Sequence, residues 1–294
     1  MTHQYKQMKR SFLFVIIGTA TLLLSCGKTY DVNGFDWQPD TPLSDSVFNR
    51  EIQVLDLGTN NIPEGHRPLD GADPLYFSLE KFSSTHLAYK STARWDIAFS
   101  GLYRSSVTAN NGSKQGFGYG SSAIGGIMLI DSAYNEVTTI PDDNQFQVPG
   151  EIGLGGFDAS PMPGGHIFYT FFGNIFRPDK LSGPDGNLYM HMMYCMSEDF
   201  ARLFPGQYGP EKVTIKPHTF IIRTANGNYA KLETQSYYKG VMDPMDMYRS
   251  TSRPIPYISF HYMVVKAAEK RFGFVKRKPK LTIDMTRKRT TTGR

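Results

Sequence analysis

Beyond residue 70 the chain breaks into short runs, some alternating apolar and polar with a period of two and some continuously apolar, the patterns of half-buried and buried β-strands. Residues 74–79 predict a short strand. In Arg94-Trp95-Asp96-Ile97-Ala98-Phe99 the alternation puts Trp95, Ile97 and Phe99 on one face. Residues 137–140 predict a strand that stops at Pro141-Asp142-Asp143. Residues 219–224 predict a buried strand, and Asn226-Gly227 is the residue pair that a two-residue hairpin turn requires. The returning strand, residues 229–238, alternates Tyr229, Lys231 and Glu233 with Ala230, Leu232 and Thr234. A last strand is expected over 257–265, and the one clear helix over 197–203 behind a Ser197 cap. Between these runs lie a glycine-rich loop, residues 110–120, and another with six glycines, residues 150–165. The pattern therefore predicts an all-β, antiparallel sheet domain with long loops and few short helices.

The N-terminus follows a different pattern. Lys6, Lys9 and Arg10 precede a 13-residue apolar run, residues 12–24, and then Ser25-Cys26. A basic head, a short apolar stretch and a small residue before the cut make a secretory signal. A membrane-spanning helix needs roughly 20 residues, so this run is too short. Leu23-Leu24-Ser25-Cys26 resembles the lipobox of bacterial lipoproteins, which implies acylation (palmitate) at Cys26, a lipid anchor and an outer-membrane address. The cell surface is the expected face, with the periplasmic face left open. The division expected is a signal peptide over 1–25, anchor and linker over 26–70, a β domain over 71–265 and a tail over 266–294. The only other cysteine is Cys195, so no disulfide framework supports the fold.

Charge sharpens this division. The whole chain carries +5, but residues 266–294 hold 11 basic and 2 acidic side chains. Residues 26–265 are therefore acidic, and the basic character sits in the tail, which reads as solvated and disordered. Its clusters could attract nucleic acid or anionic lipid; export argues against nucleic acid. No phosphate loop, dinucleotide fingerprint, zinc spacing or nucleophile elbow is present, so no enzyme is expected.

The chemistry-bearing stretch is residues 162–196. Met162-Pro163-Gly164-Gly165-His166 closes the second glycine-rich loop, and Met190-His191-Met192-Met193-Tyr194-Cys195-Met196 follows, with Phe168, Tyr169 and Tyr189 between them. Two readings are open: methionines filling gaps in a core, or an aromatic-walled pocket with thioether and imidazole donors for haem iron. His218 and His261, each on a strand, read as structural.

Trp95-Asp96-Ile97-Ala98-Phe99, the loop from Asn111-Gly112 to Gly120, Thr138-Thr139-Ile140-Pro141, and the run from Phe220 through Asn226-Gly227 to Tyr238 together resemble the HmuY family of haem-binding lipoproteins. So does Tyr257-Ile258-Ser259-Phe260-His261-Tyr262. The resemblance runs from about Pro74 to Val265. It implies an all-β fold and a non-enzymatic, haemophore-like role in iron acquisition. The cargo would be non-covalent b-type haem, delivered to a TonB-dependent outer-membrane transporter. It implies His166 and Met192 as axial ligands, with Met162 and His191 as alternates and Phe168, Tyr169, Tyr189, Met190 and Met193 as pocket residues. The alternative is a surface lipoprotein that uses the same scaffold to bind a glycan or an envelope protein without haem.

Overall fold

A computed structural model describes residues 47–58, 73–148, 151–153, 165–170, 173–177, 192–204, 207–208, 213–248, 255–273 and 278–293. Contacts divide the chain into Met1–Trp37 and Gln38–Arg294. The first part, which holds Cys26 and the expected signal peptide, lies outside the described residues, and every described contact is made within the second.

The strands are, in order, β1 (Arg50–Leu57), β2 (Leu75–Ser78), β3 (Ser83–Thr85), β4 (Ile97–Ser100), β5 (Ser106–Ala109), β6 (Gly126–Ile130), β7 (Glu151–Ile152) and β8 (Ile167–Thr170). They continue as β9 (Met192–Cys195), β10 (Gln207–Tyr208), β11 (Val213–Thr214), β12 (Thr219–Arg223), β13 (Tyr229–Ser236), β14 (Ile258–Val265), β15 (Lys278–Asp284) and β16 (Arg289–Thr292). The α-helix α1 (Glu198–Arg202) follows β9. A seven-stranded sheet has the order β16-β15-β1-β14-β13-β12-β6, and a five-stranded sheet the order β3-β2-β4-β5-β7. The pairs β8–β9 and β10–β11 form small two-stranded sheets. All named pairs are antiparallel except β1–β15.

The two large sheets meet through aromatic rings. Phe260 of β14 lies 5.3 Å from Phe77 and 5.6 Å from Phe99, ring centre to ring centre, and all three are fully buried. Tyr262 reaches the same layer and donates its hydroxyl to the Leu79 carbonyl at 3.0 Å. Truncating a ring buried this way costs about 3–5 kcal/mol. The opposite face of the seven-stranded sheet is covered by residues 133–146 and Phe272. There Val137 and Phe146 pack on Ile221 and Tyr229. Lys231 is buried under this layer, its ammonium donating to the carbonyls of Tyr134 and Val137 at 2.7 and 2.9 Å.

Asn226-Gly227 turns β12 into β13, with Gly227 at φ 86°, where only glycine sits without strain. Buried carboxylates clamp this turn to the five-stranded sheet. Asp96 accepts N–H bonds from Leu79, Glu80 and Ala225 and a hydroxyl bond from Ser78. Glu80 accepts from Thr224, Asn226 and Asn228. Burial, then the charge of Glu80, pushes Asp96 up to about 7 against those hydrogen bonds.

Four expectations are corrected. Residues 137–140 form no strand; Thr139 makes one isolated bridge to Arg271, and Val137 serves as a core plug. Trp95 does not share a face with Ile97 and Phe99. It precedes β4, where Asp96 interrupts the alternation, and packs with Tyr76 and Ala98 on the other face. The expected linker, residues 26–70, contains β1, an interior strand whose Ile52 and Val54 are fully buried. Residues 278–293 of the expected disordered tail form β15 and β16, because Leu281, Ile283 and Met285 bury their side chains between the basic residues.

Candidate ligand-binding site

The β8–β9 hairpin carries the chemistry-bearing stretch. Its register pairs Ile167 with Cys195, Phe168 with Tyr194, Tyr169 with Met193 and Thr170 with Met192. Ser197 then accepts the Phe200 N–H and starts α1, as its side chain predicts. The helix brings Phe200 against Phe168, Tyr194 and Phe176, with ring centres 5.0–5.8 Å apart. Asn174 pins the chain after β8 by donating to the carbonyls of Pro244, Met245 and Met247.

His166 is fully enclosed. Its Nε2 lies 2.6 Å from the Ser105 carbonyl oxygen and its Nδ1 3.1 Å from Thr234 Oγ1. A carbonyl only accepts, so Nε2 carries the proton and donates to Ser105, leaving Nδ1 to accept from the Thr234 hydroxyl. Burial, only partly opposed by the bond to Ser105, pushes the ring down to about 3, which keeps it neutral at ordinary pH. Met192 is equally enclosed, and its sulfur accepts the Tyr238 hydroxyl at 3.5 Å. The same hydroxyl oxygen accepts the Met193 N–H at 3.0 Å.

Two axial ligands must reach one iron. In this structure the donor atoms of His166 and Met192 are instead taken up by protein neighbours. His166 stands beside Met196 at one end of the hairpin and Met192 opposite Thr170 at the other, four residues apart along the strands. With both imidazole nitrogens bonded and the thioether sequestered, this pair does not fit an iron-ligating role in this conformation. Phe168, Tyr169 and Met193 are likewise buried against protein neighbours. Met162, Tyr189, Met190 and His191 lie outside the described residues. Among the described residues no group of three or more His, Cys, Asp or Glu is placed to hold a metal ion.

Two histidines that the sequence reads as structural have carboxylate partners. His218 Nδ1 lies 2.6 Å from the Gly165 carbonyl oxygen and Nε2 lies 3.2 Å from an Asp131 carboxylate oxygen. Both partners are acceptors, so only the imidazolium serves both, while burial lowers the ring's pKa. His261 lies between Glu233 at 3.0 Å and Glu51 at 3.4 Å, stacked 4.0 Å from the Tyr134 ring. Burial opposes its charge, but bonds to both carboxylates outweigh burial and raise its pKa. Glu51 is lowered to about 2 by His261 against burial, with Lys280 adding to the shift. Glu233 also accepts the Glu198 N–H at 2.9 Å, so this cluster holds α1 to the sheet. The only sequence signal for it was the shared β13 and β14 face periodicity; β1, which brings Glu51, was hidden in the expected linker.

No curated protein matches the chain at a significant level. A family model described as "HmuY protein" matches residues 71–246, from before β2 to beyond β13, and so takes in the whole β8–β9 stretch and both segments that flank it. The chain belongs to the HmuY family.

Proposed function

We propose that the protein is a non-enzymatic haem-binding lipoprotein. It is anchored through Cys26 at the outer membrane and captures haem for hand-over to a TonB-dependent transporter. The observation that carries this reading is the arrangement around the β8–β9 hairpin within the family match. Residues 154–164 lead into one end of the hairpin and residues 178–191 into the other, and each segment holds a thioether or imidazole donor. Because His166 and Met192 are occupied within the fold, Met162 and His191 become the preferred axial ligands. Tyr189 and Met190 are the preferred pocket residues. A thioether is a soft donor that favours ferrous iron, and a histidine ligand must be neutral, so acid weakens that bond.

Trp95 offers a glycan no stacking surface, since it is fully buried and its indole N–H donates to the Lys90 carbonyl at 2.9 Å. Titration of the purified chain with haemin, followed by absorbance, tests the proposal. A saturable Soret band at one haem per chain supports it, and the spectrum of free haemin throughout refutes it.

A further inference from the structure

Charge is distributed unevenly between the two ends of the seven-stranded sheet. β1 and β15 run parallel, which sets Arg50 beside Lys278. β14 runs antiparallel to β1 and so finishes at that same end. Lys266, Lys270 and Arg271 come directly after it, and all three are exposed, as is Lys280. Carboxylates at this end include Glu51, which binds Lys280 at 2.8 Å, Glu269, which accepts from Asn49 at 3.0 Å, and Asp143, which pairs with Arg223 at 3.1 Å and feels the charge of Lys270; the cations still outnumber them.

Asn49 ties this end together. Its N–H donates to the Val264 carbonyl at 2.8 Å, and its carbonyl accepts from the Lys278 N–H at 3.2 Å. Lys266 lies over the Phe48 ring at 5.2 Å. This is also where the chain enters the described fold, at Val47, with 20 residues between it and Cys26. The other end is balanced. There Lys239, Arg287, Lys288 and Arg289 stand against Asp56, Asp284, Asp243 and Asp246. The roots of the candidate ligand segments lie toward that balanced end: Met192 and Met193 against Tyr238, and Gly165 against His218.

We propose that the basic end of the seven-stranded sheet seats the protein on an anionic, phosphate-bearing lipid surface. The roots of the ligand segments are then held away from that surface. Cations near such a surface attract it over about a Debye length. The attraction sets orientation, while the acyl anchor sets residence. The inference rests on the anchor reading only for its choice of a membrane as partner.

The test uses the unit Gln38–Arg294, which contains every described contact and lacks Cys26. Its co-sedimentation is measured with vesicles of phosphatidylcholine alone and of phosphatidylcholine with phosphatidylglycerol. Binding is expected to the anionic vesicles alone, and to vanish near about 0.5 M salt. Lys266→Gln/Lys270→Gln/Lys278→Gln should lower partitioning about 100-fold. Arg287→Gln/Lys288→Gln/Arg289→Gln, checked for native circular dichroism like the first triple, should lower it less than about 3-fold. Equal losses in the two triples would reduce the effect to net charge and overturn the proposal. So would failure to bind anionic vesicles, including the case in which the first triple alone abolishes binding to polyglutamate, which would indicate an acidic protein partner. None of these outcomes depends on haem.

Discussion

Lowering the pH should destabilise the fold through His166 by a predictable amount. The ring is fully buried, neutral, and bonded to Ser105 and Thr234. Burial holds its pKa down at about 3 in the fold, against 6.5 for a free imidazole. A histidine depressed in the folded state binds protons in the unfolded chain first, so its contribution is fully present above about 6.5 and declines as pH falls toward 3. From pH 7 to 4.5 the linkage comes to about 2.5 kcal/mol. Urea unfolding of the wild type at the two pH values measures the total loss. The same pair of measurements on His166→Gln isolates the share that His166 carries. The variant keeps a neutral polar group at the site and lacks the titration, so its pH dependence should be shallower by about 2–3 kcal/mol. Equal slopes in the two proteins would mean that the imidazole is accessible and ionisable in the fold, and the case against it as a sequestered structural group would collapse.

Other outcomes follow from the same geometry. His261 has the opposite sign: its pKa is raised by Glu233 and Glu51, so its contribution is present below about 6.5 and is lost as pH rises through the raised value. His261→Gln should therefore cost more stability at pH 6 than at pH 9 in denaturant titrations, and a pH-independent cost would refute the network. Asn174→Ala removes three side-chain bonds to the 244–247 turn. It should cost about 2–3 kcal/mol and raise amide exchange in β9 and that turn; unchanged exchange would contradict the pinning role. Gly118→Ala would set a Cβ 1.9 Å from Asn110 Oδ1. It should lower the melting midpoint, whereas Gly120→Ala, with open space around it but φ 83°, should lower it less.

Much of the fold was legible wherever local chemistry and alternation agreed. Asn226-Gly227, the Ser197 cap and the two faces of β13 and β14 are examples. Alternation failed where another requirement intervened. Asp96 turns its carboxylate onto four donors from two segments, residues 78–80 and Ala225, and this carries Trp95 to the opposite face. In β15 the lysines and arginines on either side of Leu281 and Ile283 masked a period of two that is plain once the strand lies beside β1. The candidate site was less legible. A histidine after a glycine-rich loop looks the same in sequence whether its ring points to solvent or inward. What settles its environment here is Ser105 and Thr234, 61 and 68 residues away. The aromatic and methionine content marked a packed cluster at residues 168–170 and 192–196, but the partners that close it, Phe200 of α1 and the turn held by Asn174, are not visible in that stretch.

Haemin titration of the folded wild type beside Met162→Ala/His191→Ala and His166→Gln/Met192→Leu tests the central claim most directly. A Soret shift in the wild type that is lost in the first pair and kept in the second is the predicted result. Loss confined to the second pair, with its fold intact by circular dichroism, would return the ligands to the β8–β9 hairpin and contradict the account.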